Sequence, residues 1–364
     1  MHRVNTNDLM PGMITAEDVY TYANQLVLTK GIVLSDSTIT KLSFYSILSI
    51  IVEDNTIRPI SDEKRFPQLH EETFNHRVQQ SAEFHRFKEE FEKESSSLTT
   101  SLNDIVKKNA PIDTNGLLNG VLNLVSLQKE GSFPIFNMLS NMRMYDDVTY
   151  VHSINVSLIC YIFAEWLHMN ADEIKLATMC GLLHDVGKML VPENIIKKPA
   201  KLTDKEYEQI KAHPVAGYKI LRERGINEHI CNAALMHHER CDGSGYPMGL
   251  KGNRIDRYAK IVAIADVYDA TTSARLYRGP LCPFTVISLF ENEGYAKYDP
   301  ECIMTFLQNI VNTYLLNTVC LNDGTIGTIV FINKDHLSQP TIKTEAGRFI
   351  DLSQNHELKI ETII

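Results

Sequence analysis

The sequence predicts a mainly α fold, in which an all-helical core lies between a small N-terminal α+β module and a small C-terminal β module. Apolar residues recur at spacings of three and four through residues 111–316, as they do along amphipathic helices. Short apolar runs bounded by turn residues come before residue 61 and after residue 316, as in short strands. With 364 residues, the chain has room for two or three domains.

The N-terminal module, residues 1–60, contains strand-like runs and one short helix. Residues 26–28 and 32–34 are apolar and flank a Thr-Lys-Gly turn, so they predict a hairpin. Ser35 is suited to cap a helix that continues through residue 45. The apolar run at 47–52 then predicts a buried strand.

Residues 61–145 are polar and charge-dense, and we predict a helical linker or dimerisation region there. The apolar side chains recur at spacings of three, four and seven, which places them on one stripe of a long helix. The stripe consists of Phe84, Phe87, Phe91, Leu98, Leu102 and Ile105. Two interpretations stay open. The stripe packs on the next domain, or it forms the seam of a coiled-coil homodimer or a signalling helix.

Residues 146–316 form the predicted helical core. The spacing of a capping box occurs twice, at Asn170 with Glu173 and at Thr203 with Glu206. Pro214 fits the first turn of a further helix. Strand-like alternation is scarce here, so we expect helices throughout this part of the chain.

Residues 317–364 return to short strands and form the predicted C-terminal β module. An Asn-Asp-Gly turn at 322–324 lies between two apolar runs, which is typical of a β-hairpin. Residues 349–352 and 358–364 alternate between apolar and polar side chains and predict two more strands.

Composition narrows the class of protein. There are 36 Lys and Arg residues against 45 Asp and Glu residues, so the net charge of −9 disfavours a general nucleic-acid binder. The seven cysteines are scattered without a C-x-x-C pair, which indicates a reducing compartment and no zinc ribbon. The sequence shows no signal-peptide pattern and no apolar run long enough to span a bilayer. We therefore expect a cytoplasmic protein.

Histidine and aspartate residues are concentrated between residues 145 and 280. The candidate metal ligands are His152, His184, Asp185, His213, His237, His238 and Asp266. Imidazole and carboxylate suit divalent transition metals. Any single histidine on an amphipathic helix is usually a surface or core residue, but the joint pattern indicates a metal centre. The ligands are too many for one ion and fit two, about 3.5–4 Å apart with one bridging carboxylate.

Four strings carry a resemblance to a known family. They are HDVGK at 184–188, HP at 213–214, HHERCDGSGYP at 237–247 and ADVYDA at 265–270. Together they resemble the HD-GYP family, a subgroup of the HD metal-dependent phosphohydrolases, over residues 146–316. The resemblance implies that this part is the catalytic domain. It further implies an HD-type helical core, a metal centre and hydrolysis of cyclic di-GMP.

The resemblance assigns a role to each candidate ligand. It implies that His152 is the first ligand, that His184 and Asp185 are the HD pair with Asp185 as the bridge, and that Asp266 closes the first site. It implies that His213, His237 and His238 complete the ligands of the second ion. Fe or Mn is the expected metal, and Ni also suits these ligands. Some relatives bind a third ion through a Glu at the position of Val148, so two ions are expected here.

The resemblance also implies substrate contacts. Lys188 matches the family's lysine beside the reacting phosphate. Further predicted contacts are Arg275, Arg278, Tyr246, Gly245 and Asp269. The two arginines would hold phosphates, and Tyr246 of the Gly-Tyr-Pro loop would stack on the substrate or hydrogen-bond to it. Asp269 also has the alternative of fixing a metal ligand or Lys188 in place.

The expected reaction is attack on a phosphodiester by a hydroxide that bridges the two ions, since metal coordination lowers the pKa of water from 15.7 to about 7. The expected catalytic residues are Lys188 and Asp185, and the product is linear pGpG, then GMP. Two alternatives remain: hydrolysis of another cyclic dinucleotide such as cyclic GMP-AMP, or a non-catalytic cyclic-dinucleotide sensor or scaffold. The resemblance also implies protein partners at the Gly-Tyr-Pro loop, including diguanylate cyclases.

Overall fold

The computed structural model describes residues 1–21, 26–45, 47–54, 74–129, 134–142, 149–192, 195, 203–273 and 281–364. The described α-helices, in chain order, are α1 (Asp36–Phe44), α2 (Phe74–Gln80), α3 (Ala82–Lys107), α4 (Thr114–Lys129), α5 (Ile135–Met142), α6 (Thr149–Trp166), α7 (Ala171–Leu183), α8 (Asp204–Lys211), α9 (His213–Glu223), α10 (Glu228–Met236), α11 (Arg257–Thr272), α12 (Pro283–Lys297) and α13 (Pro300–Ile310). The strands are β1 (His2–Asn5), β2 (Val19–Tyr20), β3 (Leu26–Leu28), β4 (Ser49–Val52), β5 (Thr318–Leu321), β6 (Ile326–Phe331), β7 (Thr341–Thr344), β8 (Phe349–Asp351) and β9 (Ile360–Ile363). The mainly α prediction is confirmed.

The N-terminal module has α1, two small antiparallel sheets and a small apolar core of its own. The predicted hairpin is wrong, because β3 pairs with β2 rather than with residues 32–34. Thr15 explains the difference. Its hydroxyl donates to the Thr29 carbonyl at 2.8 Å and accepts from the Ile32 amide at 2.8 Å, so the chain after the turn follows residues 13–15 instead. The predicted helix is confirmed, the strand predicted at 47–52 is present over Ser49–Val52, and Ser35 accepts from the Thr38 amide at 3.3 Å.

The long helix α3 carries the predicted apolar stripe, and all six of its side chains are buried. Ser81 caps the helix by accepting from the Phe84 amide at 3.0 Å. The stripe packs inside the chain against α4 and α6. This is the first of the two interpretations, and the buried stripe is not available as the seam of a dimer.

The helical core is built around the close pair α6 and α7. A Cβ on Gly181 would lie 2.9 Å from the Ser157 Cα, so only glycine allows these two backbones to approach so closely. Both predicted capping boxes are present, at Asn170 with Glu173 and at Thr203 with Glu206. Helix α11 lies inside the core with nearly all its residues buried.

The helices of the core are interrupted beside the candidate ligands at two places in the described residues. A 3-10 turn at Val186–Leu190 follows α7. Residues 239–256 form a loop between α10 and α11, with a short 3-10 turn at Gly252–Arg254. Gly243 and Gly249 have positive φ angles of 85° and 63°, which a helix cannot accommodate.

The C-terminal module is one antiparallel sheet in the order β8-β7-β6-β5-β9. The predicted hairpin is confirmed, since β5 pairs with β6 and Gly324 in the turn has a φ of 87°. The two predicted later strands are β8 and β9. Buried residues of β5, β6 and β7 join the apolar cluster of the helices, so this sheet shares the core of the helical region. No helix in the described part of the chain is long and apolar enough to cross a membrane.

Candidate metal centre

The HD pair lies where α7 ends and the 3-10 turn begins. His184 is the C-cap residue of α7, and Asp185 is the N-cap residue of the 3-10 turn. A Cβ on Gly187 would lie 2.0 Å from the His213 carbonyl oxygen, so the turn is in direct backbone contact with the start of α9. This close contact brings His213 to the Asp185 carboxylate.

The two oxygens of Asp185 face different groups of histidines. Oδ2 lies 3.3 Å from Nε2 of His184 and 3.8 Å from Nε2 of His152. Oδ1 lies 3.3 Å from Nε2 of His213 and 3.7 Å from Nε2 of His237. The residue is only 2% exposed, so its two oxygens are withheld from bulk solvent.

The remaining candidate ligands complete one group on each side of Asp185. We name them the first group (His152, His184 and Asp266) and the second group (His213, His237 and His238). Within each group the candidate ligand atoms lie within 4.8 Å of one another. Nε2 of His152 lies 3.0 Å from Oδ1 of Asp266, and Nε2 of His213 lies 3.2 Å from Nε2 of His237. The structure therefore brings all seven predicted ligands close together, and a further set, His184, Asp185 and His237, joins the two groups.

The outward-facing nitrogen of three histidines lies against a backbone carbonyl. Nδ1 of His184 is 2.7 Å from the Gly181 oxygen, and Nδ1 of His213 is 2.7 Å from the Ile210 oxygen. Nδ1 of His237 is 3.0 Å from the Ala234 oxygen. A carbonyl only accepts, so each Nδ1 carries the proton and each Nε2 turns a lone pair into the centre.

Acceptor lone pairs that converge in the protein interior without a hydrogen-bond donor or a cation are energetically unfavourable. Nε2 of His184, Oδ1 of Asp185 and both ring nitrogens of His238 are buried without a hydrogen-bond partner among the described residues. Buried polar atoms of this kind are usually satisfied by a bound ion or an ordered water. The donor set, imidazole nitrogen plus carboxylate oxygen, fits divalent transition-metal ions.

The electrostatics of the centre favour neutral imidazoles in the second group. Burial lowers the pKa of His213, and burial together with the neighbouring histidines holds the pKa values of His237 and His238 well below the ordinary value. Burial would raise the pKa of Asp185, but Lys188 and the histidines keep it well below its usual range. The second group thus presents neutral nitrogens beside the ionised carboxylate of Asp185, which are the forms that bind a cation.

Lys188 lies at the edge of this centre. Its Nζ is 2.5 Å from Oδ2 of Asp185, and its side chain is 26% exposed while that of Asp185 is 1% exposed. The ammonium therefore touches both the buried carboxylate and the solvent side of the centre. A group with this placement can also meet an anion that enters from solvent.

Asp269 lies behind His152 rather than in an open part of the centre. Its Oδ2 is 2.8 Å from Nδ1 of His152, and its Oδ1 accepts from Asn155 at 3.1 Å and from Ser273 at 3.2 Å. Asp269 is 1% exposed. The prediction of a substrate contact is not supported by this position, because the carboxylate is taken up by orienting a candidate ligand. The alternative prediction, that Asp269 fixes a metal ligand, agrees with the geometry.

The Gly-Tyr-Pro loop also packs against the ligands rather than opening to solvent. A Cβ on Gly245 would lie 2.4 Å from both the His238 oxygen and the Arg240 nitrogen, so this position needs glycine. The Tyr246 ring stacks on His238 with centroids 4.7 Å apart, and Tyr246 is 2% exposed. Gly245 and Tyr246 thus pack against His238 in this structure, and their contacts with substrate stay predictions.

Sequence reasoning missed two further residues. Asn155 lies on α6 three residues after His152, and it donates to Asp269. That spacing places it beside His152 on one helix face and could have identified it. Arg240, inside the family string, is buried, which no local pattern indicates for an arginine. The predicted phosphate contacts Arg275 and Arg278, and position 148, lie outside the described residues.

Helices that bring histidine and aspartate residues to one buried centre define the HD-domain class, and residues 141–302 match the family model described as HD domain. The match confirms the resemblance of this region to HD-domain proteins. A solved structure of Bd1817, an HDG"Y"P protein from Bdellovibrio bacteriovorus, has the same fold. It superposes with a TM-score of 0.50 at 15% identity and covers 85% of this chain and 99% of that chain.

Curated relatives match the same region. The chain is 34% identical over 207 residues to cyclic di-GMP phosphodiesterase PA4108 of Pseudomonas aeruginosa, covering 56% of this chain and 50% of that protein. It is 38% identical over 156 residues to the cyclic di-GMP phosphodiesterase response regulator RpfG of Xanthomonas campestris, covering 42% and 41%. It is 37% identical over 170 residues to 3'3'-cGAMP-specific phosphodiesterase 1 of Vibrio cholerae, covering 46% and 39%. The chain thus spans half or less of the length of these relatives.

Proposed function

We propose that this chain is a metal-dependent phosphodiesterase that opens cyclic di-GMP to linear pGpG, and then releases GMP. The observation that carries the proposal is the Asp185 carboxylate, which turns one oxygen to each group of candidate ligands. This is the arrangement expected of a bridge between two ions. The names of the relatives from Pseudomonas and Xanthomonas support the substrate.

Two divalent ions, Fe or Mn with Ni as a further candidate, would be held by the first and second groups with Asp185 shared. Such ions lower the pKa of a coordinated water and offset charge on a phosphoryl oxygen. The chain's own residues supply the rest. His184, His213 and His237 keep their Nε2 lone pairs directed inward because backbone carbonyls fix their Nδ1 protons. Asp269 does the same for His152.

Lys188 has the role of the mobile cation in this proposal. Its ammonium neutralises Asp185 in the free protein and is close enough to the solvent side to meet a phosphodiester. There it would stabilise negative charge on the phosphoryl oxygen or on the 3′ leaving oxygen. Arg275 and Arg278 stay predicted phosphate contacts, suited to the task by their planar donors.

The test uses anaerobically purified full chain. Metal content per chain is measured first, and breakdown of cyclic di-GMP is then followed by chromatography. Two ions and linear pGpG, both lost in the His184→Ala/Asp185→Ala variant, are the expected result. No metal after loading with Fe or Mn would overturn the mechanism.

A second candidate substrate is a cyclic GMP-AMP dinucleotide, which the name of the Vibrio relative supports. The bases are read by residues that the ligand strings do not include, so the two substrates are compared directly at equal concentration. A higher kcat/KM for 3'3'-cGAMP would replace the first proposal. Two bound ions with tight dinucleotide binding and no turnover would instead support the sensor or scaffold alternative. A cytoplasmic location, a homodimer and protein partners at the Gly-Tyr-Pro loop stay predictions.

A further inference from the structure

Arg240 is a buried cation next to the second group of ligands. It is 1% exposed and lies two residues after His238. A buried guanidinium is costly unless its donors find acceptors. Nη1 donates to the carbonyl of Glu239 at 2.9 Å and to that of His237 at 3.3 Å. The guanidinium also lies over the Tyr298 ring, 4.9 Å from the centroid.

These contacts hold a backbone segment that no helix holds. Helix α10 ends at Met236, so the carbonyls that follow it have no partner inside the helix. Arg240 takes the carbonyls of His237 and Glu239, and the Tyr246 amide donates to the carbonyl between them at 3.2 Å. The peptide planes on both sides of His238 are therefore fixed by side-chain and loop contacts.

Arg240 also reaches the N-terminal module. Its Nε donates to the carbonyl of Phe44 at 3.4 Å, and the Tyr298 hydroxyl donates to the same oxygen at 3.4 Å. Phe44 is the last residue of α1, where helix carbonyls are unpaired and carry partial negative charge. The guanidinium thus caps α1 and holds the ligand segment at the same time.

Further contacts fasten the same junction. The Phe44 ring packs edge-on against Phe290 and Tyr298, with centroids 5.6 Å and 5.3 Å away. Lys297 lies 3.6 Å from the centroid of the Tyr45 ring and 3.3 Å from the Asp242 carboxylate in the Gly-Tyr-Pro loop. The end of α1 is therefore linked, through Lys297, to the loop that follows His238 of the second group.

We propose that Arg240 is a positioning residue that couples the N-terminal module to the second group of ligands. It fixes the backbone around His237 and His238, and its own position depends on the end of α1. Displacement of α1 is therefore expected to loosen the second group. The inference rests on the proposed function only in taking these histidines as metal ligands.

The test compares full-length variants. Arg240→Met removes the donors, and Arg240→Lys keeps the charge without the fork of donors. Phe44→Ala loosens the end of α1 from the module side. Arg224→Met is the matched control, because Arg224 also holds backbone carbonyls, those of Ile105 at 2.8 Å and Ile220 at 2.9 Å, at the far end of α9 from His213. Mn²⁺ binding per chain, hydrogen exchange and melting temperature are measured for each.

We expect Arg240→Met to lower the affinity for one of the two Mn²⁺ ions at least tenfold. Amide hydrogen exchange should become faster at residues 237–246 and in α1. Arg240→Lys should recover part of the affinity, and Phe44→Ala should weaken the same ion. Arg224→Met should lower the melting temperature and leave both ions bound at wild-type affinity. Unchanged Mn²⁺ affinity in a folded Arg240→Met variant would overturn the positioning role. An equal loss of Mn²⁺ affinity in Arg224→Met would show that the effect is one of general stability. Unchanged Mn²⁺ affinity and hydrogen exchange in Phe44→Ala would overturn the coupling.

The same experiments distinguish a failure of the proposed function from a failure of the coupling. If the wild type binds two Mn²⁺ ions but leaves cyclic di-GMP intact, the proposed cyclic di-GMP activity is excluded and the coupling is not. If the wild type binds no Mn²⁺, the proposed metal centre is excluded. The coupling is then decided by whether Phe44→Ala speeds exchange at residues 237–246.

Discussion

The Asp269 carboxylate holds Nδ1 of His152 at 2.8 Å, while Nε2 of the same ring lies 3.0 Å from Asp266. Burial would lower the pKa of His152, but the two carboxylates raise it to about 9. Asp269 thereby orients the ring and increases its basicity, as a carboxylate behind a ligating histidine does. Asn155 and Ser273 in turn fix Asp269 from the side away from the ring.

Asp269→Asn should weaken one bound ion about 10- to 100-fold and lower turnover by a similar factor, because the amide carries no charge to increase the basicity of His152. Mn²⁺ titration and cyclic di-GMP turnover measure the two effects. Asp256→Asn is the matched control, since Asp256 lies 2.8 Å from Nδ1 of the exposed His229, away from the centre. Equal losses in both variants would contradict a role specific to His152.

Asp185→Asn should remove both ions, because one carboxylate faces both groups of ligands. Asp266→Asn should remove only one, since Asp266 belongs to the first group. Metal content per chain after Mn²⁺ loading measures the difference. If Asp185→Asn keeps one ion at full affinity, its carboxylate is not the bridge.

Lys188→Met should lower kcat about 100-fold, the loss expected when one group that stabilises transition-state charge is removed. Both ions should stay bound, because an ammonium is not a metal ligand. Lys175→Met, at an exposed pair with Asp172 on α7, is the control and should be neutral. If Lys188→Met instead loses metal while the remaining loaded protein has wild-type kcat, the role of Lys188 is purely structural.

Gly245→Ala should destabilise the fold by about 1–3 kcal/mol, since its Cβ would overlap backbone atoms that cannot move independently. The Tyr246 ring should shift from His238 as a consequence. Gly252→Ala in the same loop is the control, because its Cβ would lie 3.3 Å from the Cys241 side chain. Thermal unfolding and Mn²⁺ binding check both variants, and equal melting temperatures would argue against the tight turn.

A pH effect is expected away from the centre, at the pair of Lys260 and Asp299, whose charged atoms are 2.8 Å apart. Burial would raise the pKa of Asp299, but Lys260 and the Cys302 amide lower it. Because the folded-state pKa lies below the unfolded one, the pair stabilises the protein above the ordinary Asp pKa of 3.8 and loses this effect as the pH falls further.

Asp299→Asn keeps the cap on α13 and removes the charge, and Lys260→Met removes the partner. A double-mutant cycle should give a coupling free energy of up to about 1 kcal/mol near neutral pH. Urea unfolding at a series of pH values should show this coupling disappear in acid. A coupling that grows as the pH falls would reverse the assigned sign.

Local chemistry made much of this protein predictable. The capping boxes at Asn170 and Thr203, and the stripe of α3, depend on contacts within a few residues, so their spacing is visible in the sequence. The ligand strings likewise name the residues of the centre, because metal coordination restricts residue type. The mistaken hairpin shows the limit, since the Thr15 hydroxyl hydrogen-bonds to residues 14 and 17 positions away.

Only the tertiary structure decided how the side chains are oriented. It placed Asp269 against His152 and Tyr246 against His238, where each supports a candidate ligand. It also placed Arg240 against Phe44, which is 196 residues earlier in the chain. There is a physical reason for this division: residue type and spacing restrict which side chains can bind a metal, and both are visible in the sequence. The direction of each group and the burial of its neighbours depend on helices that meet only when the whole core packs.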